Sequence, residues 1–567
     1  MKRRWEIKQP SGQQPVMPEY PSFILKLLQL RGFYTEEEIQ DFLNPDYSKL
    51  HDPFLFKEMQ KAVKRVWDAQ ERKEKITIYA DYDADAITAA SVTYLTLKKI
   101  GADINCYIPD RFSEGYGMNT EAIKKLQADG TKLIITVDCG TNAVEEALLC
   151  RELGMDLIIT DHHEKTGPLP DAFALINPKN PSDDYPFPYL TGVGVAFKFV
   201  QAMLSFAPTL RSEQSAVPAG WEKWLLDLVA IGTVADCQSL SGENRILVYY
   251  GLKVISKTCW IGLKALIKEA QINANKLDTY ALGFLIAPRI NAAGRIKHAD
   301  IAFRLLTSEN ILEAENLAKE LNDLNLHRQK LTEQILSEAK AQVELDLSRK
   351  VFLVAGDNWP KGIIGLVAGK LCEEFARPVL VLEKGQTVAT GSARSTTAFN
   401  IVEALGEAKD FLVRYGGHNQ AAGFTVTNEQ IPYLHQKLIS VADRVFGQEL
   451  PKPMLNIDAE MKEEDISFEI HDYLAKFAPF GMGNPRPKFV AYGFKIVSLR
   501  TLGSENQHLK LKVQLGEKVL DVISFRHKFL QNLEPGMTID LVFELDSNEW
   551  QGYKDLQLKL IDLEVKS

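Results

Sequence analysis

The sequence predicts an α/β chain of several domains: a parallel-sheet domain, a helical connector, a second α/β domain and a C-terminal β-barrel. Three observations predict it. Between Ile76 and Asp161 short apolar runs (ITIYA, LIITV, DLIIT) alternate with helical stretches (ITAASVTYLTLKKI, AVEEALLCREL), the grammar of a parallel sheet with helices on both faces. The same alternation resumes near Lys350 as VFLVAG, GIIGLVAGKLCEEF and PVLVLE. Toward the end, HLKLKVQL, VLDVISF, TIDLVFEL and DLQLKLIDLEV are short strands separated by turns, as in a small barrel. At 567 residues the chain exceeds what one core can hold.

Taken in order, residues 1–72 carry short amphipathic stretches (LKLLQL, EEEIQDFL, MQKAVKRVWDAQ) and read as a helical extension without chemistry. Residues 73–242 form the parallel-sheet domain. It includes a loop at 205–220 and a helix, WEKWLLDLVAIGTVADC, that leads to Asp236. Residues 243–348 are a helical connector ending in a long charged helix. Residues 349–448 are the second α/β domain, and 449–567 the barrel, with ELPKPMLN (449–456) as a linker. No internal repeat or low-complexity tract interrupts this order.

Composition narrows the function classes. A net charge of −9 excludes a uniformly basic nucleic-acid coat but leaves room for a local basic groove. It also suits a site that concentrates carboxylates around cations. The start, MKRRWEIKQP, is followed by no apolar stretch, so no secretory signal is expected. Nowhere do eighteen apolar residues run together, so no membrane partnership is expected either. The six scattered cysteines form no C-x-x-C pair and read as free thiols in a reducing compartment, the cytoplasm.

Ligands of parallel α/β sheets bind outside the carboxyl ends of the strands, and three successive strand ends here carry aspartate. The first is Asp81-Tyr82-Asp83-Ala84-Asp85, whose alternating carboxylates can hold a hard cation such as Mg²⁺ or Mn²⁺, or form a solvated turn. The second, Asp138, would alone read as a helix cap. The third is Asp161-His162-His163, where imidazole suits a metal and a neighbouring carboxylate fixes its tautomer. Asp236 follows a helix and says little by itself. Together they would be prohibitively repulsive if buried without cations. Two metals about 3.5–4 Å apart would neutralise them and form the clamp used on phosphoryl centres.

Asp161-His162-His163, with the other aspartate motifs in this order, resembles the DHH phosphoesterase superfamily. Gly416-Gly417-His418 with Ala421-Ala422-Gly423-Phe424 resembles its accessory domain, DHHA1. Within the superfamily the chain is most similar to the RecJ single-strand-specific exonucleases. That likeness rests on Ile108-Pro109-Asp110-Arg111 with Gly115-Tyr116-Gly117, on Pro288-Arg289-Ile290-Asn291-Ala292-Ala293-Gly294-Arg295, and on Pro479-Phe480-Gly481-Met482-Gly483-Asn484-Pro485. The barrel resembles the oligonucleotide-binding (OB) fold of that family. Three positions depart from the family's usual pattern: Ala86 in place of glycine, Pro360 in place of histidine, and Cys237-Gln238-Ser239 after Asp236. None removes an expected ligand.

The resemblance implies 5′ to 3′ hydrolysis of single-stranded DNA to 5′-mononucleotides, in repair and recombination, with two divalent cations, Mn²⁺ or Mg²⁺. Asp81, Asp83 and Asp85 are expected to hold one side, Asp138 to bridge, and His162 and Asp236 to complete the other. His163 is expected to meet the scissile phosphate or the leaving oxygen. It also implies a monomer, with single-strand-binding protein and a helicase as partners. Nucleic-acid contacts are expected from Arg111, Tyr116, Arg289, Asn291, Arg295, Ser392, Arg394, Gly417 and His418. Arginine can grip phosphate with two N–H groups, and glycine lets backbone N–H groups approach an anion. The alternatives at these positions are a packed turn at Tyr116 and a salt-bridged cap at Arg289, Asn291 and Arg295. In the barrel, Lys510, Lys512, Arg526 and Lys528 lie among aromatics, as in folds that bind single strands by stacking and charge. Two other functions compete: a phosphodiesterase for short oligonucleotides or cyclic dinucleotides, and a catalytically inactive single-strand-binding scaffold.

Overall fold

A computed structural model describes residues 3–12, 17–111, 113–115, 117–206, 217–447, 453–503, 507–525, 533–550 and 552–566. By compactness the chain divides into two units, one of residues 51–238 and 250–453, the other of 1–50, 239–249 and 454–567. The second draws together stretches that are far apart in sequence. Among the described residues no helix is long and apolar enough to cross a membrane.

After a helix at Met59–Glu71, the first unit builds its sheet from β1 (Lys75–Ala80), β2 (Ile104–Tyr107), β3 (Thr131–Val137), β4 (Asp156–Thr160) and β5 (Ala174–Ile176), with α1 (Ala84–Lys99) following β1. The strands form an all-parallel sheet in the order β2-β1-β3-β4-β5. Their near-continuous apolar runs are what burial on both faces requires. Helix α1 is buried almost all round. It can be, because its hydroxyls turn inward: Thr88 donates to the Ala84 carbonyl, Ser91 to Ile87 and Thr96 to Val92.

Two further helices pack on α1: α2 (Gly192–Ser205) and α3 (Leu226–Ala235). Six residues of π-helical pitch, Ala281–Ile286, then run into α4 (Ala287–Ile296), and the connector ends in α5 (Ile311–Glu344). The second α/β domain comprises β6 (Phe352–Asp357), α6 (Lys361–Phe375), β7 (Val379–Lys384), β8 (Val388–Arg394), β9 (Arg414–His418) and β10 (Ala421–Thr427). Its sheet runs β9-β10-β8-β7-β6, with only β6 and β7 parallel. One face buries Ile363, Val367 and Leu371 of α6 against Ile335 and Ala339 of α5, so the long connector is part of this domain's core.

The second unit is a closed barrel. Phe489–Leu502 pairs with His508–Leu515 on one side and Thr538–Trp550 on the other, and Lys518–Ser524 and Tyr553–Val565 complete the circuit. Phe489, Phe494 and Phe543 fill it, and Ile24, Leu27 and Leu28 of the Ser22–Gln29 helix join the same core. Two local readings change. Arg4–Ile7 is a strand within the supposed helical extension, and Met454–Ile457 is a strand within the supposed linker. The two pair in parallel. Each finds its partner some 450 residues away, so no local periodicity announces either. The buried Arg245 guanidinium donates to the carbonyls of Phe42, Lys476, Phe477 and Ala478, which ties the Pro479–Pro485 loop to the N-terminal helices. Arg526 and Lys528 lie outside the described residues.

Candidate metal centre and phosphate-binding face

The ends of three parallel strands deliver the acidic groups. Asp81 directly follows β1, Asp138 follows β3, and Asp161 to His163 follow β4. Asp83 caps α1 by accepting from the Ala86 amide at 3.0 Å, which throws Asp85 into the helix's first turn. Asp236 arrives as the C-cap of α3.

The side chains converge. His162 Nε2 lies 3.0 Å from Asp138 Oδ1 and 3.9 Å from Asp236 Oδ2. Two sets of possible ligand atoms, Asp138 with His162 and His163, and Asp85 with His162 and Asp236, each fall within 4.8 Å of one another. Asp81, Asp85, Asp138 and His162 are each at most 4% exposed. Asp83 joins electrostatically: its charge helps to raise the pKa of Asp81, Asp85, Asp138 and Asp236.

These groups fit divalent cations. Asp81 Oδ1, Asp138 Oδ1 and Asp236 Oδ2 are buried without a hydrogen-bond partner among the described residues, a costly state unless something else binds them. The 3.0 Å approach of His162 to Asp138 is out of line for a hydrogen bond. It matches the spacing of neighbouring ligands on an octahedral cation with bonds of about 2.1 Å. Burial first, then mutual repulsion, pushes Asp81 up to about 8 and Asp236 up to about 7, and raises Asp85 and Asp138 well above the carboxylate range. Burial and the neighbouring His163 charge hold His162 down to about 3, so it is a neutral imidazole able to ligate.

Asp161 does different work. It accepts from the backbone amides of His162 (2.7 Å), His163 (3.2 Å) and Thr141 (2.9 Å), and pairs with His163 Nδ1 at 2.8 Å. Burial would raise its pKa, but these bonds and the His163 charge outweigh that and hold it well below the carboxylate range. In return, burial works against the charged form of His163, but Asp161 wins and its pKa is raised.

Glycines shape the space between these groups, and sequence reasoning missed them. The amides of Gly192 and Val193 donate to Asp85 at 2.7 and 2.9 Å, a carboxylate at the N-terminus of α2. A Cβ at Gly192 would meet Asp138 at 2.4 Å, and one at Gly232 would meet Thr88 Oγ1 at 2.2 Å and Asp85 Oδ1 at 2.8 Å. The available signal was glycine inside helical patterns, which is costly unless packing demands it.

Beside the acidic cluster stand arginines. Burial, then the charges of Arg111, Arg328 and Arg394, lowers Arg295 to about 10. None of these four forms an ion pair with a carboxylate among the described residues. Arg328, on α5, has a buried Nε without a hydrogen-bond partner among the described residues, and sequence reasoning did not single it out. Arg111 lies over the Tyr82 ring at 4.8 Å. Arg394 donates to Ser392 Oγ at 3.2 Å, both on β8. Arg289 donates from Nε to Asn322 Oδ1 and from Nη1 to the Leu285 carbonyl. Asn291 Oδ1 accepts from the Ala84 amide. Tyr116 lies outside the described residues. A cleft of about 410 Å³ is lined by Gly140, Thr141 and His163 together with Gly417 and His418. In the barrel, Lys510 is paired with Asp521 at 2.7 Å.

Known proteins share these domains. Residues 75–233 match the DHH family N-terminal domain, 348–444 the DHHA1 domain and 457–562 the RecJ OB domain. The chain is 40% identical to the single-stranded-DNA-specific exonuclease RecJ of Bacillus subtilis, over all of this chain and 71% of that one. It superposes on the crystal structure of RecJ from Thermus thermophilus in complex with Mn²⁺ with a TM-score of 0.82 at 28% identity, covering all of this chain and 80% of that one. The Mg²⁺ complex of the same protein gives a TM-score of 0.76 at 27% identity, covering all of this chain and 79% of that one.

Proposed function

Because the chain belongs to the RecJ family of DHH exonucleases, we propose that it hydrolyses single-stranded DNA from the 5′ end, in repair and recombination, releasing 5′-mononucleotides. The observation that carries the reading is the juxtaposition of a buried carboxylate–imidazole cluster, three of whose oxygens have no hydrogen-bond partner among the described residues, with arginines that form no ion pair with a carboxylate among those residues. The cluster suits cations, the arginines suit phosphates, and a phosphodiester chain offers the second where the first can act.

Asp81, Asp83, Asp85, Asp138, His162 and Asp236 would hold two divalent cations, Mn²⁺ or Mg²⁺, with Asp138 shared. Bound there, the cations would supply Lewis acidity to the phosphoryl group and lower the pKa of the attacking water. The remaining work falls to the chain itself. Asp161 fixes His163 through Nδ1, so Nε2 is the nitrogen from which the imidazolium donates to the scissile phosphate or the leaving oxygen. Arg111, Arg295, Arg394 and Ser392 neutralise and orient phosphate, and Gly417 and His418 line the cleft together with His163. We assign these roles to a catalytic segment of 73–242, a connector of 243–348, an accessory segment of 349–448 and a strand-binding barrel of 449–567. The enzyme works as a cytoplasmic monomer that cooperates with single-strand-binding protein and a helicase.

The test is digestion of end-labelled single strands with Mn²⁺ or Mg²⁺. Immediate release of a 5′ label as mononucleotide, with the 3′ label retained on shortening strands, supports the reading. Faster cleavage of dinucleotides than of long strands would favour the small-substrate alternative, and no metal-dependent cleavage would leave a binding scaffold.

A further inference from the structure

Helix α4 touches the metal-site loop twice. Asn291 Oδ1 accepts from the Ala84 amide at 2.9 Å. Ala84 opens α1 and is 1% exposed, so its N–H has neither a helical partner nor open water. One turn on, Gly294 backs onto Tyr82, which sits between Asp81 and Asp83. A Cβ at 294 would lie 2.7 Å from the Tyr82 carbonyl oxygen and 3.3 Å from its Cβ. Asp83, Ala84 and Asp85 are consecutive, so the amide held by Asn291 belongs to the peptide that follows Asp83 and leads into Asp85.

The next residue ties the same helix to a second element. Arg295 Nη1 donates to the Gly362 carbonyl at 3.0 Å, and Gly362 is packed so close that a Cβ there would meet the Arg295 carbonyl at 2.7 Å. Gly362 lies in the first turn of α6, in the accessory domain. One short helix therefore contacts both the accessory domain and the loop carrying Asp81, Asp83 and Asp85.

We infer that α4 is a strut that positions the metal-site loop, and that Asn291 and Gly294 act through that loop as positioning residues instead of contacting nucleic acid. The inference rests on the reading of the aspartate–histidine cluster as a metal centre. Removing the acceptor strands a buried amide, and the loop relieves it by moving its aspartates. Lost support of this kind behind a ligand lowers metal affinity about 10- to 100-fold.

Two measurements on the full chain separate positioning from contact. Mn²⁺ binding is followed by calorimetry without DNA, and single-strand binding by fluorescence anisotropy in EDTA. Asn291→Ala should weaken Mn²⁺ binding at least about tenfold and leave EDTA-phase DNA binding within about twofold. Asn291→Asp keeps the acceptor and should restore Mn²⁺ affinity, whereas at a phosphate contact its negative charge would weaken DNA binding further than alanine does. Gly294→Ala, which presses on the loop from the same helix, should lower Mn²⁺ affinity as Asn291→Ala does. Unchanged Mn²⁺ affinity in folded Asn291→Ala and Gly294→Ala, or a loss of DNA binding in EDTA, overturns the inference. If the native chain binds Mn²⁺ but cuts no strand, the proposed nuclease function fails while this inference is still tested. If it binds no Mn²⁺, the metal-centre reading fails first.

Discussion

Replacing Gly192 with alanine should cost about two orders of magnitude in turnover through one methyl group. The new Cβ would stand 2.4 Å from Asp138 Cβ and Oδ1 and 2.5 Å from Cγ. Non-bonded carbons rest at about 3.5 Å, so about 1 Å must be found. Asp138 is poorly placed to yield it. Its φ is 59°, a left-handed conformation unusual outside glycine, and its amide is tied to the Thr160 carbonyl at 3.0 Å. If the start of α2 yields instead, the amides of Gly192 and Val193 carry Asp85 with them. Whichever side gives way, a carboxylate of the cluster moves by about 1 Å, and a displacement of that size costs about 10²-fold.

Stability should suffer less. Gly192 has no positive φ, so alanine at a helix start would by itself gain up to about 1 kcal/mol, against about 1–3 kcal/mol for overpacking. The variant should remain folded at 25 °C. The assay is turnover of an end-labelled single strand at saturating Mn²⁺, with circular dichroism to confirm folding and calorimetry for Mn²⁺ affinity. A folded Gly192→Ala variant with turnover within about threefold of the native chain would refute the argument.

Asp138→Asn preserves shape and tolerates the left-handed backbone. It should abolish hydrolysis while leaving single-strand binding intact by anisotropy, and near-native turnover would remove Asp138 from the centre. Arg394→Ala should lower the slope of log K against log salt by about 0.7, one phosphate's worth on a single strand; an unchanged slope in a salt titration would place Arg394 off the strand. Asp227, in α3, is buried, and burial raises its pKa to about 7. The folded chain therefore keeps a proton that the unfolded chain releases near pH 4. This contribution to stability is present below pH 4 and is lost as pH rises through 7, amounting to up to about 4 kcal/mol. Asp227→Asn should accordingly stabilise the catalytic unit at pH 8 and give little advantage at pH 4. Unfolding curves read by the fluorescence of Trp260, whose Nε1 lies 3.2 Å from Asp227 Oδ1, would check this. A stabilisation independent of pH would contradict it.

Three of the five strands of the catalytic sheet were legible because each is a compact apolar run followed at once by an aspartate; Ile104–Tyr107 and Ala174–Ile176 lack that mark. Period and punctuation are both local, and ITIYA before Asp81 needs no distant information. The barrel was legible for the same reason. The pairing of Arg4–Ile7 with Met454–Ile457 was not, because four residues of strand carry too little pattern and the partner is chosen by the assembled unit. Arg245 escaped notice likewise. Nothing about an arginine in a helix reveals that carbonyls from two remote segments will surround it.

The site divides along a similar line. Its ligands were legible because cation chemistry restricts them to few residue types, and those types cluster at strand ends. The groups that hold the ligands apart are defined instead by what is missing or by where a backbone amide points. Gly192 matters because a methyl group there would strike Asp138, and Asn291 because the Ala84 amide needs an acceptor. A glycine in a helical stretch hints that something packs close, but neither requirement can be named from local pattern, since each is set by an element from elsewhere in the chain. The same reasoning explains why Asn291 and Arg295 read as one polar face in sequence yet find different partners. They are four residues apart on α4, but one supports the aspartate loop while the other bonds to the accessory domain. A polar stripe on a helix reveals that something polar lies opposite. Whether that partner is a phosphate or the protein's own backbone depends on which buried N–H and C=O groups lack a partner until the helix docks.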